Sequence, residues 1–282
     1  MTWLTDPLSF DFIQQAMLTT AMIAAAAAVL SCFLVLKGWS LMGDAIAHAI
    51  LPGVVLAYIA GLPLILGAFA AGMTCAAATG FLTENSRIKQ DTVMGVVFAG
   101  MFGLGIVLYT GIETELHLDH ILFGDMLGLG WADVAEAGAI ASAALAVTLV
   151  LRRDLMLFAF DPGHARAAGL PTGFLHYGLL AVIALVVVGA LNALGLILAI
   201  ALLIGPGAIA HLLTERFDHM LAVAVGVAVL ATVTGILASF WIDSAPAPTI
   251  VTVMTGLFVL VFLFAPRHGI LRRRVAPAME GD

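Results

Sequence analysis

Nine long apolar stretches constrain the fold of this chain more than any other feature. They cover residues 12–36, 44–60, 63–82, 92–111, 132–151, 172–191, 194–213, 219–241 and 248–265. A helix needs roughly 20 apolar residues to cross the hydrocarbon core of a bilayer. Strands of a membrane barrel would alternate apolar and polar residues, and these stretches do not alternate. We therefore predict an all-α polytopic membrane protein with about nine transmembrane helices, or eight if the two stretches within 172–213 merge.

Charged residues are too scarce for a water-soluble protein. Of 282 residues, 11 are Lys or Arg and 18 are Asp or Glu, or 10% in all. A soluble domain carries about 25% charged residues. The composition excludes a soluble enzyme and a disordered chain, and the lack of a basic patch excludes a nucleic-acid-binding domain. Both cysteines lie inside apolar stretches, which argues against a disulfide scaffold.

The basic residues predict one orientation in the membrane. With the N-terminus outside and nine crossings, all 11 basic residues fall on the cytoplasmic side, where such residues concentrate. The chain is then a single transmembrane domain with a cytoplasmic loop at 152–171 and a cytoplasmic tail at 266–282. The first residues contain no Lys or Arg, so we expect no signal peptide.

Asp44 and His48 form the main candidate site. They are four residues apart, so they share one face of a helix. Ionisable residues at membrane depth are costly and indicate function, and a carboxylate with an imidazole suits a first-row divalent metal. Pro52 and Gly53 follow and favour a break in the helix. The alternative is structural: Asp44 caps a helix N-terminus and His48 is a buried hydrogen-bonding residue.

Two further segments each have two interpretations. Gly205-Pro206-Gly207 precedes a short amphipathic segment, which is either a partner-docking helix at the cytoplasmic surface or the end of a kinked span. The acidic, His-containing segment 113–120 either concentrates cations or is an ordinary solvated loop. We interpret the Gly-rich segment 115–130 as a short or re-entrant piece. Gly95, Ala99 and Gly103 form a ridge of small residues that permits close helix packing.

No P-loop is present, so any ATP chemistry must come from another chain. Four segments in order nevertheless resemble the permease subunit of metal-type ABC transporters, the family that imports manganese, zinc or iron. They are 40–53 (SLMGDAIAHAILPG), 123–127 (FGDML), 161–170 (DPGHARAAGL) and 201–213. The resemblance covers nearly the whole chain. The segment 84–95 is also similar to family members associated with manganese and iron.

The resemblance implies a permease of the bacterial inner membrane that is not itself an enzyme and holds no permanent cofactor. Its expected partners are two cytoplasmic ATPases, an external metal-binding protein, membrane lipid, and a second permease copy or a paralogue. Asp44 and His48 would line the metal path at the permease interface, with manganese the first candidate and iron or zinc next. The segment 206–217 would be the coupling helix to the ATPase, through Pro206, Ala208, Ala210, His211, Glu215 and Arg216.

An outer gate or mouth is the last expected site, formed by Glu113, Glu115, Asp119 and Asp243. One departure from the family pattern lies nearby: Ala247 stands where a Gly usually precedes the second Pro, and a positive φ there would strain Ala. Two other functions remain open from the residues alone. One is a secondary carrier or channel for divalent cations that acts without nucleotide, and the other is a membrane scaffold without transport.

Overall fold

The computed structural model describes residues 9–112, 124, 126 and 128–265. This part of the chain folds into helices joined by short turns. In chain order they are α1 (Asp11–Lys37), α2 (Met42–Ala49), α3 (Leu51–Ala60), α4 (Leu64–Glu84), α5 (Gln90–Thr110), α6 (Trp131–Val150), α7 (Arg152–Phe160), α8 (Pro162–Ala167), α9 (Thr172–Leu213), α10 (Phe217–Ile242) and α11 (Pro246–Phe264).

Nine helical segments within the described residues are long and apolar enough to cross a membrane. They match the nine predicted stretches within a few residues, with α2 and α3 together forming the second. The two stretches in 172–213 stay separate. Although α9 is continuous by its hydrogen bonds, Gly195 is non-helical at φ 75° and ψ 170°. A straight helix of 42 residues would be about 63 Å long, twice the thickness of the hydrocarbon core.

Helix α1 lies at the centre of the bundle. Of its most apolar window, 72% is buried, compared with 17% in α5 and in α11. It packs mainly along α9, α10 and α6. Small residues allow the close approach: a Cβ added at Gly207 of α9 would lie 2.6 Å from the Ser31 backbone in α1. Helices α5 and α11 therefore form the periphery, where lipid or another chain covers their apolar surfaces.

Glycines also set the packing around the second span. Gly53 of α3 faces Gly67 of α4 so closely that a Cβ on either would overlap the backbone carbonyl of the other. On the other side of α3, a Cβ added at Gly105 of α5 would lie 2.9 Å from Pro52. The segment that carries Asp44 and His48 is thus held between α4 and α5.

The segment 206–217 differs from the sequence-based expectation of a separate surface helix. Residues 206–213 are the last two turns of α9, residues 214–216 form a turn, and α10 begins at Phe217. Pro206 lies inside the helix without ending it. Proline removes one N–H, and in a bundle the neighbouring helices hold the rest of the helix in place. Among the described residues, the short helices outside the predicted spans are α7 and α8, both in the predicted loop 152–171.

Candidate metal pathway site

Asp44 and His48 both lie on α2, at the beginning of the second membrane-spanning segment. His48 lies six residues after Met42, the first residue of α2, which is about 9 Å along the helix axis. The side chains of His48 and Asp44 are 27% and 29% exposed, although most other residues of α2 are buried. The pair is therefore accessible at the surface of this chain while its backbone is fixed in the bundle.

The His48 ring is oriented by Asp44. Its Nδ1 lies 3.0 Å from the Asp44 carbonyl oxygen and 3.2 Å from Asp44 Oδ1. Because both neighbours of Nδ1 are hydrogen-bond acceptors, the proton of a neutral imidazole belongs on Nδ1. Nε2 then keeps its lone pair, which is the form that binds a metal. A carboxylate behind a histidine fixes the ring and makes it a better ligand.

Two aromatic rings of α5 form the wall beside His48. The ring centroid of His48 lies 5.7 Å from that of Phe98 and 5.5 Å from that of Phe102, the latter edge to face. These residues were missed by sequence reasoning. Their spacing of four places them on one face of α5, but nothing in the sequence indicates that this face meets α2. The rings restrict the rotation of the imidazole and give the site one apolar side.

Pro52 leaves the backbone carbonyl of His48 without its usual helical hydrogen bond, which gives the Asp44–His48 site one more acceptor. Since proline has no N–H, the carbonyl of His48 lacks the helical donor that residue 52 would otherwise supply. The hydrogen-bond pattern breaks at Ile50, between α2 and α3, although Ile50 keeps helical angles at φ −67° and ψ −30°. The predicted helix break is therefore a local loss of hydrogen bonding rather than a bend with unusual dihedrals.

Asp44 does not cap the helix, so this part of the structural alternative is wrong. The N-cap of α2 is Leu41, no side chain caps the helix, and Asp44 is its third residue. A carboxylate in the first turn still benefits from the helix dipole. Its specific neighbour is His48, which supports a role for the two side chains as a pair.

One copy of the chain supplies too few donors for a tight metal centre. Within the described residues, no group of three or more His, Cys, Asp or Glu side chains is arranged to hold a metal. Zinc and manganese sites usually take four or more ligands. The Asp44–His48 pair is thus suited to a weak site, or to one half of a site that another chain completes.

The six predicted coupling residues divide into two sets. Pro206 and Ala210 are buried, and Ala208 is partly buried, so they pack within the bundle. His211, Glu215 and Arg216 are exposed at the end of α9 and in the turn that follows. A cleft of about 410 Å³ opens beside them, lined also by Phe160 at the end of α7. The accessible surface is therefore the 211–216 end of the segment together with α7.

The predicted outer residues are only partly visible. Glu113, Glu115 and Asp119 lie outside the described residues, as does most of the predicted re-entrant segment 115–130. Asp243 is exposed and is the C-cap of α10, with a left-handed φ of 54°. Ala247 lies in the first turn of α11, so the positive φ that would strain it is absent. Asp is one of the few residues other than Gly that adopt the left-handed conformation routinely.

Comparison with known proteins places this geometry in a family. The profile of the ABC 3 transport family matches residues 9–265. The chain is 51% identical to the chelated iron transport system membrane protein YfeD of Yersinia pestis, over 97% of this chain and 92% of that protein. It is 45% identical to the manganese transport system membrane protein MntB of Synechocystis, over 99% and 93% of the two chains.

A solved structure shares the fold over nearly the full length. A chain of PsaBC from Streptococcus pneumoniae, determined in complex with a Fab, superposes with a TM-score of 0.86 at 33% identity. The match covers 96% of this chain and 98% of that one. The nine apolar helices of the described residues and these relatives make the protein a multi-pass protein of the bacterial inner membrane. The chain therefore belongs to the ABC 3 transport family, as a membrane-spanning permease of the metal-transporting type.

Proposed function

We propose that this chain is the permease of an ATP-driven importer of divalent metal, with manganese the first candidate and iron or zinc next. The observation that carries the proposal is the Asp44–His48 pair, oriented for metal binding and exposed on a membrane-spanning helix. The printed names of relatives, which refer to manganese and to iron, support this class of substrate. The chain has no P-loop, and in this family the ATPase is a separate subunit.

The ion passes between two permease copies, or between this chain and a paralogue. The ridge Gly95, Ala99 and Gly103 on α5 supports this arrangement, because no atom lies within 4 Å of a Cβ built at either glycine. The ridge adjoins the face of α5 that carries Phe98 and Phe102, which contact His48. A second copy packed on this ridge would bring its own Asp44–His48 pair close to the first. In this geometry each pair presents one ligand, His48 Nε2, with the carboxylate behind it, so two copies supply two nitrogen ligands, fewer than a tight metal site takes.

The ATPase docks on the cytoplasmic surface formed by α7 and residues 211–216. This surface holds the exposed members of the predicted coupling set, His211, Glu215 and Arg216. Phe160 is 64% exposed at the edge of the neighbouring cleft, so a partner can bury an apolar side chain there. An ion pair between Arg152 and Asp218, with atoms 3.3 Å apart, joins α7 to α10. A movement of the ATPase on this surface can thus be passed to α10 through the ion pair and to α9 through the turn 214–216.

In the predicted orientation, the external metal-binding protein meets the opposite face. Asp243 would lie on this face, and the sequence leads us to expect Glu113, Glu115 and Asp119 there too, where they would attract cations to the mouth of the pathway. Attraction by exposed charges extends only about 8 Å at physiological salt, so it helps capture and does not select the metal.

The test measures uptake of manganese into proteoliposomes that contain the chain with its ATPase, supplied with binding protein and ATP. Uptake should need all of these components and should be lost in His48→Ala. The matched control is His219→Ala, an exposed histidine at the start of α10. Rapid uptake by the chain alone would instead identify a carrier or channel that needs no nucleotide. Full uptake in the His48→Ala complex would remove His48 from the pathway.

A further inference from the structure

A cationic cavity of about 520 Å³ lies at one end of the bundle, away from Asp44 and His48. Its wall contains the ends of four spans: Lys37 ends the first, Thr83 the third, Gln90 begins the fourth and Thr172 the sixth. The cavity is therefore at the level where the hydrocarbon core meets the aqueous phase. In the proposed orientation this is the cytoplasmic boundary of the membrane.

Lys37, Arg166 and the imidazole of His176 line the cavity, and no acidic residue does among those described. Lys37 is half-buried, and its Nζ donates to the Phe158 carbonyl at 3.1 Å and lies 3.9 Å from the centre of that ring. An ammonium has three donors, so two remain. No described carboxylate lies within 4 Å of Lys37 or of the second cation, the exposed Arg166 on α8. The cavity thus has an excess of positive charge.

The backbone increases this positive potential. Helices α5 and α9 begin at the cavity wall with Gln90 and Thr172, and neither has a side-chain cap on its first N–H groups. Helix N-termini carry partial positive charge that favours a nearby anion. Together with Lys37 and Arg166, they make an anion the expected occupant of the cavity.

The apolar surroundings indicate which kind of anion. Phe81 and Phe174 are 62% and 66% exposed, and each is adjacent in sequence to a glycine of the cavity wall. Trp39 and Tyr177 also line the cavity, and such rings favour the membrane interface. A lipid that places its phosphate near Lys37 and Arg166 could lay its acyl chains over Phe81 and Phe174. A soluble anion would make no use of these surfaces.

We propose that this cavity binds the phosphate headgroup of an anionic phospholipid from the adjacent leaflet. Lys37 and Arg166 contact the phosphate, and the exposed rings of α4 and α9 contact the acyl chains. The site is separate from the docking cleft, because α7 lies between them: Phe158 lines the cavity and Phe160 lines the cleft. The inference rests on the membrane location of the chain and not on which ion it transports.

The experiment uses the delipidated full-length chain and native mass spectrometry with added dioleoyl phosphatidylglycerol, dioleoyl phosphatidylcholine or inorganic phosphate. The wild type should retain phosphatidylglycerol in preference to phosphatidylcholine. Each basic residue near an anionic lipid adds about fivefold in affinity, so Arg166→Gln should weaken phosphatidylglycerol binding by about that factor. Lys37→Gln should do the same. Arg153→Gln, an exposed cation of α7 outside the cavity, is the matched control and should bind like wild type.

Several outcomes would overturn the lipid assignment. Equal retention of phosphatidylglycerol by wild type and Arg166→Gln would show that the cavity does not hold the headgroup. Competition by millimolar inorganic phosphate would identify a site for soluble anions instead. If Arg166→Gln kept its lipid but lost the ATPase on co-purification, the cation would belong to a protein interface. Arg166 is exposed and Lys37 is anchored to α7, so agreement between the two variants separates loss of binding from loss of fold.

Discussion

His48 Nδ1 lies 3.0 Å from the carbonyl oxygen and 3.2 Å from the carboxylate of Asp44, one helical turn earlier. The carboxylate therefore positions the imidazole, whose Nε2 remains available as a ligand. Loss of a carboxylate behind a metal-binding histidine typically lowers metal affinity 10–100-fold. We expect Asp44→Ala to reduce manganese uptake at low metal by about that factor and His48→Ala to abolish it. Radiolabelled uptake at matched membrane abundance measures both.

If Asp44→Ala lowered uptake more than His48→Ala, the assignment of the main metal ligand would change. If Asp44→Ala abolished uptake and His48→Ala left a measurable rate, the carboxylate would be the main ligand and the histidine its support. Equal, normal uptake in both would assign the pair a structural role. Asp44→Glu tests the geometry, because the longer side chain keeps the charge but moves it away from Nδ1.

Cysteine cross-linking tests the interface on α5. Ala99→Cys places a thiol in the middle of the ridge with Gly95 and Gly103, so oxidation of membranes should give a covalent dimer. Leu260→Cys is the control, because Leu260 is 54% exposed on the peripheral helix α11. The native Cys32 and Cys75 are buried, so they should not react. Dimers of Leu260→Cys without dimers of Ala99→Cys would move the interface to α11. With a paralogue as partner, the cross-link needs a cysteine on that chain too.

Replacing Gly53 by Ala should disrupt the contact of α3 with α4. The added methyl would overlap the Gly67 carbonyl, and backbone cannot move away as a flexible side chain can. We expect a loss of about 1–3 kcal/mol, the usual cost of overpacking, seen as lower thermal stability in detergent. Gly226→Ala is the control, because a Cβ there meets nothing within 4 Å. Unchanged melting of Gly53→Ala would show that the two helices separate easily.

Gly195 should resist substitution for a different reason. Its φ of 75° and ψ of 170° lie in a region that is essentially restricted to glycine. Strain of about 1–3 kcal/mol should lower the stability of Gly195→Ala, with the largest effect on the break between the two spans of α9. Gly178→Ala, in open space on the same helix, should be neutral or slightly stabilising. Differential scanning fluorimetry compares the two, and equal midpoints would argue against strain at 195.

Charge reversal at the C-terminal end of α9 tests the proposed ATPase docking. Arg216 is exposed beside the cleft that Phe160 also borders, so Arg216→Glu should reduce co-purification of the ATPase several-fold without changing the melting temperature. Arg87→Glu, exposed between α4 and α5 and outside the cleft, is the matched control. If only the control variant lost the ATPase, the docking surface would lie on the α4–α5 turn.

The membrane class, the nine spans of the described residues and the shared helix face of Asp44 and His48 could be predicted from the sequence. Span length is fixed by bilayer thickness, and the spacing of four is fixed by helix geometry, so both are local properties. At 206–217, where the sequence left a separate helix and the end of a kinked span both open, the structure shows the end of a span, and the reason is local as well. Gly-Pro-Gly predicts a break in an isolated helix, but Gly207 packs on Ser31 and the packed bundle keeps α9 continuous there.

Which helices meet was decided by the tertiary structure alone. Phe98 and Phe102 beside His48, and the approach of Gly53 to Gly67, depend on contacts between segments far apart in sequence. Such contacts leave no periodic pattern in the sequence. The apolar surface of a membrane helix can pack against lipid as well as against another helix. The sequence by itself therefore determined that the chain crosses the membrane and where its unusual polar residues lie. The tertiary packing of small residues determined which helices surround these polar residues. It left the Asp44–His48 pair at an accessible surface.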